Sequence, residues 1–137
     1  MLEKLVEIYH NLFNSKYAVI SAVCNGSIAY YVNNEHGIEA AISAAFTQAA
    51  ASFFSTGFTA RLVQHFSPIE NKIKSYLLGS FIPAAGTFLL SYIGHQVNDS
   101  PEILNSCIAP TAISFTTSFV TNYITRAGYL LPNNYKK

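Results

Sequence analysis

The sequence predicts an all-α, polytopic membrane protein. Four transmembrane helices form two tandem helical hairpins, preceded by a short amphipathic helix on the membrane surface. The first observation behind this is where charge is missing. Residues 17–34, 40–60, 75–98 and 103–125 contain no Asp, Glu, Lys or Arg, and these runs are 18, 21, 24 and 23 residues long. About 20 mainly apolar residues in a helix cross the hydrocarbon core, and a soluble helix of that length shows a charged face to water. The second observation is where charge is present. If the helices alternate direction, all eight Lys and Arg residues fall on one side, while the opposite turns hold Glu35, Glu39, Asp99 and Glu102. Basic residues mark the cytoplasmic side, so both termini are expected there. The third is a phrase written twice, SFFSTGFTAR at 52–61 and SFVTNYITR at 118–126.

Taken in order, residues 1–14 carry Leu2, Leu5, Tyr9, Leu12 and Phe13 on one helical face with polar residues elsewhere. That pattern predicts a helix lying in the membrane interface, and Glu3 and Glu7 exclude a signal-peptide core. The domain 15–137 then holds spans near 17–33, 39–60, 75–97 and 103–125. Mean hydropathy is only +0.25, because Ser, Thr, Asn and Tyr dilute the apolar residues. A chain of 137 residues nevertheless has too little left over to cover four helices on every side. A net charge of +1 gives no reason to expect a nucleic-acid partner.

Overlaying 44–61 on 109–126 pairs Ser52 with Thr117, Phe54 with Phe119, Thr56 with Thr121, Phe58 with Tyr123 and Arg61 with Arg126. Two units of two spans each make a parallel repeat about an axis along the membrane normal. The alanines and serines of the second span permit close helix approach. Arg61 and Arg126 are expected to end their helices at the inner interface, where each suits headgroups and the negative end of the helix dipole.

Polar residues at depth are candidates for a pathway: Asn25, Gln48, Thr56, Thr121 and Asn122. An Asn25–Gln48 interhelical bond is the structural alternative. His36 and His95, with the four outer acids, read as a solvated rim; no spacing supports a metal site. The charge-free runs hold no carboxylate, and no phosphate loop or Cys/His cluster is present, so neither catalytic residues nor a cofactor is expected.

Four spans in this length, Lys16-Tyr17 and Tyr76 entering the odd spans, and the paired phrases 52–61 and 119–126 resemble the GtrA-like membrane proteins. That resemblance implies translocation of a polyprenyl-phosphate-linked sugar across the bacterial inner membrane. It also implies an anionic lipid headgroup held by Arg61 and Arg126 with Lys16 and Lys74 nearby, membrane lipid as a partner and action as a homo-oligomer. The chain departs from the family pattern at Thr56-Gly57. Two other readings of the same residues are a small-solute or anion channel formed by an oligomer, and a non-transporting membrane partner protein.

Overall fold

The computed structural model describes residues 13–128, and among them the secondary structure is entirely helical. Asn14 opens the first helix by accepting a hydrogen bond from the Tyr17 backbone, the N-cap role for which a short side-chain oxygen is suited. Helix α1 is Ser15–Asn33. One 3₁₀ turn, Asn34–His36, and Gly37 at φ +98° reverse the chain into α2, Ile38–Phe66. That backbone angle belongs to glycine. Asn71 caps α3, Lys72–Val97, by accepting from the Lys74 backbone, and a short turn leads to α4, Ile103–Arg126. The expected surface helix over 1–14 lies outside the described residues except for Phe13 and Asn14.

The inside of the bundle is made of small and polar side chains. On α3 the buried stripe includes Ser75, Gly79, Pro83, Thr87, Ser91 and His95, a spacing of four that keeps one helical face turned inward. On α2 it includes Ala41, Ala44, Gln48, Ser52 and Ser55. The large apolar side chains point out instead: Val23 is 65% exposed, Phe54 54%, Phe81 57% and Ile108 61%. This inverts the pattern of a water-soluble bundle, whose helices bury an apolar stripe. Outward threonines hide their hydroxyls. Thr116 and Thr117 donate to the carbonyls of Ala112 and Ile113 one turn back, so they present mainly methyl groups. By length and composition α3 and α4 are long and apolar enough to cross a membrane.

Packing is closest between α1 and α2 and between α3 and α4, with α2 also touching α3 and α4. Gly26 sits against the Ala45 carbonyl and Ala49, where an added Cβ would come within 3.1 Å of both. Phe13 is buried and its ring packs on Phe53 and Phe58, with centroids 5.2 and 5.3 Å away. The ring lies directly over Gly57, in the space a Cβ would take, and the Asn14 backbone N–H donates to the Gly57 carbonyl at 3.0 Å. Gly57 therefore seats the residues that enter α1.

The doubled phrase is alike only in part. Phe54 and Phe119 both face out, as do Phe58 and Tyr123, but Ser52 is buried where Thr117 is exposed.

Gly57→Ala is expected to lower stability by about 1–3 kcal/mol through overpacking against Phe13, measured by unfolding in mild detergent. In a Phe13→Ala background the same glycine change should cost little; an equal loss in both backgrounds contradicts this packing.

Candidate functional site: a polar column through the bundle

The polar side chains of the inward stripes join into bonded groups along the bundle. At the end holding the α1–α2 and α3–α4 turns, Asn33 is fully buried. Its Nδ2 donates to the Ala29 carbonyl and to Ser106 Oγ, both at 2.9 Å, and its Oδ1 accepts from the Glu102 backbone at 3.2 Å. One amide thus ties the end of α1 to the start of α4. Beside it, His36 Nε2 donates to Glu102 Oε1 at 3.1 Å and Asn105 donates to Oε2.

Deeper in, His95 Nε2 lies 3.0 Å from Gln48 Oε1 and Nδ1 lies 2.8 Å from Ser100 Oγ. The amide oxygen can only accept, so the ring proton sits on Nε2 and Ser100 donates to Nδ1. Gln48 Nε2 then donates to Ser52 and Ser91 at 2.9 and 3.0 Å. Ser100 also accepts from Asn98, whose own oxygen accepts from Ser43. Both polar ends of the buried glutamine are therefore satisfied, as buried polar groups require.

His95 is wholly buried, which corrects its expected place in a solvated rim: it is the last member of the inward stripe of α3. The Asn25–Gln48 bond, the structural alternative to a pathway, is not formed. Asn25 donates to Ser21 Oγ at 3.1 Å, while Gln48 is taken by His95. Thr56 joins Asn25 through the same serine, donating to Ser21 Oγ at 2.8 Å.

At the opposite end, Asn122 and Ser75 exchange two bonds: Nδ2 donates to the Ser75 carbonyl at 2.9 Å and Oδ1 accepts from Ser75 Oγ at 3.2 Å. Gly79 makes room for that amide. One turn on, Arg126 Nη1 donates at 2.7 Å to the carbonyls of both Ser67 and Ile69. The guanidinium carbon lies 6.0 Å from the Tyr76 ring centroid, and that ring stacks on Phe119 at 4.9 Å. Arg126 is the last residue of α4, as expected, but the carbonyls it caps belong to the chain leaving α2.

Arg61 does not end its helix, since α2 continues to Phe66. Its Nη1 donates to Gln64 Oε1 at 3.0 Å, a different anchor from that of Arg126. Lys16 and Lys74 lie near the same end, both exposed, and Thr121 is half-buried with its carbonyl accepting from Thr125. The structure thus joins Asn25 with Thr56, gives Gln48 to His95 and Asn122 to Ser75, and assigns the two arginines separate partners. Asn33, Ser21, Ser75, His95 and Ser100 do not stand out in the sequence as bonded members of this column. The spacing of four on α3 carries the signal for two of them.

Between α1 and α2 an apolar groove of about 390 Å³ opens on the outer surface, lined by Val23, Gly26, Ser27, Tyr30, Ala45 and Phe46.

No protein-family model, curated protein or solved structure matches this chain.

Glu102 faces solvent, and the bond from His36, then that from Asn105, holds its carboxyl below the ordinary 4.5. A carboxyl lowered on folding contributes stability that is complete above its ordinary value and is lost as pH falls through its folded value. Thermal unfolding should therefore show wild type above Glu102→Gln at neutral pH, with the gap closing in acid below about pH 4. A gap that widens on acidification contradicts the bonding at this corner.

Proposed function

We propose that the chain is a four-span integral membrane protein with both termini in the cytoplasm of a bacterial cell. In this reading α1–α2 and α3–α4 are tandem hairpins, and the protein moves a lipid-linked polar substrate across the inner membrane. The observation that carries the membrane reading is the inverted bundle: polar side chains bonded within, large apolar ones outside on every helix. Helices α1 and α2, of 19 and 29 residues, share this outward apolar face although Asn, Gln and Ser lower their hydropathy. Two arginines and two lysines gathered at the basic end suit an anionic headgroup, and the apolar groove between α1 and α2 suits a hydrocarbon chain. The resemblance to GtrA-like proteins supplies the substrate class, a polyprenyl-phosphate-linked sugar, and the expectation of a homo-oligomer.

Arg126 also clamps the connection between α2 and α3, so its removal tests folding as well as binding. Hydrogen bonds to a charged group contribute about 1.5–3 kcal/mol, and Arg126→Ala should destabilise the protein by a loss of that order. Arg61, whose Nη1 bonds the Gln64 side chain of its own helix, is the second probe. Purified protein in liposomes should translocate undecaprenyl-phosphate-linked glucose, and Arg61→Ala should slow this about tenfold, the equivalent of one hydrogen bond to a charged group. Ion flux without lipid movement would select the channel reading. Inactivity relieved only by another membrane protein would select the partner reading.

A further inference from the structure

Among the described residues four buried amides line the bundle, and three are bonded at both ends. Asn33 and Asn122 use oxygen and nitrogen alike, and Gln48 does the same. Asn25 does not: it is 3% exposed, and its Oδ1 has no hydrogen-bond partner. It sits at the middle of α1, where lipid surrounds the bundle in the four-span reading and bulk water is absent. In the orientation the structure gives, Nδ2 meets Ser21 Oγ and the oxygen is the bare atom. Ser80 Oγ is also buried without a partner, but a hydroxyl turns freely about its bond and an amide does not.

The neighbours of Asn25 have a matching surplus. Ser21 Oγ accepts from Asn25 Nδ2 and from Thr56 Oγ1, which leaves its own hydrogen to be placed. If Ser21 donates to Thr56 instead, the Thr56 hydrogen is the one left over. In either arrangement the cluster holds one open acceptor and one open donor within a turn of each other. Ser21 and Thr56 are half-buried, so the cluster is not sealed. The group that satisfies both is one that donates once and accepts once, which is a hydroxyl.

We infer that Ser21, Asn25 and Thr56 form a binding site for a single hydroxyl, which donates to Asn25 Oδ1 and accepts the spare hydrogen of the Ser21–Thr56 pair. Two sources supply that chemistry, a water held within the bundle and a hydroxyl of the sugar proposed as substrate. The second source rests on the transport reading and the first does not.

The test is water-to-amide magnetisation transfer by NMR on side-chain-labelled asparagine in lipid nanodiscs. Transfer is expected at the Asn25 amide and not at Asn122, which is equally buried but fully bonded. Undecaprenyl-phosphate-linked glucose is then added. Loss of the transfer with a shifted Asn25 signal assigns the site to the sugar. An unchanged signal assigns it to water, and the site then stands even if transport fails. The double variant Ser21→Ala/Thr56→Val should cut occupancy about tenfold, the equivalent of one hydrogen bond. Absence of transfer to Asn25 both with and without the lipid, or transfer undiminished in the double variant, overturns the inference.

Discussion

Close approach between helices whose facing residues are small and hydroxyl-bearing is the constraint on which the rest of the structure depends. A stripe of Ser, Ala, Gly and Thr leaves no room for an apolar core, so the helices are held by backbone proximity and by bonds between polar side chains. In lipid that is how helices associate, since hydrocarbon tails are as apolar as leucine and burying leucine gains nothing. In water the same arrangement would leave a surface of Phe, Ile, Leu and Val without cover, far beyond the patches that soluble monomers tolerate. The outward threonines fit this constraint too, because their hydroxyls are spent on carbonyls of their own helix.

The polar groups then divide by position. Those at the two ends act as clasps: Asn33 joins α1 to α4 at one end, and Asn122 with Arg126 joins α4 to the start of α3 and the exit from α2 at the other. Gln48 and His95 join α2 to α3 between them. All of these amides are satisfied on both sides, and satisfied polar networks fix one packing arrangement. Asn25 stands apart because its bonding is incomplete, and its open oxygen is the point at which a ligand hydroxyl or a water enters the bundle.

Much of the helical layout was legible in the sequence, because the absence of charge over long runs is a strong and nearly unambiguous pattern. The ends were less so. Arg61 was expected to close α2, but a lone arginine interrupts no helix, and α2 continues another turn and a half to Phe66 before Ser67-Pro68. The side-chain partners were the least legible. Asn25 and Gln48 both stand out as amides within spans, yet which of them meets a histidine depends on helix rotation. His95 reads as solvated because it lies near a helix end. The spacing of four from Ser75 to His95 contains that rotation, but small residues stand out less than charged ones. Gly57 registers in the sequence only as a departure from a resembling family, and the Phe13 ring that it seats lies forty-four residues away in the chain.

The central claim is that all four helices, including the two of lower hydropathy, face lipid. The direct test places single spin labels at Val23→Cys, Phe54→Cys, Phe81→Cys and Ile113→Cys, in a Cys24→Ser/Cys107→Ser background, one outward position on each helix. Collision with oxygen, which concentrates in hydrocarbon, is compared with collision with a water-soluble nickel chelate in a reconstituted bilayer. The account predicts oxygen-dominated collision at all four positions. Free access of the chelate to positions 23 and 54, with protection only at 81 and 113, would leave two helices in the membrane and contradict it.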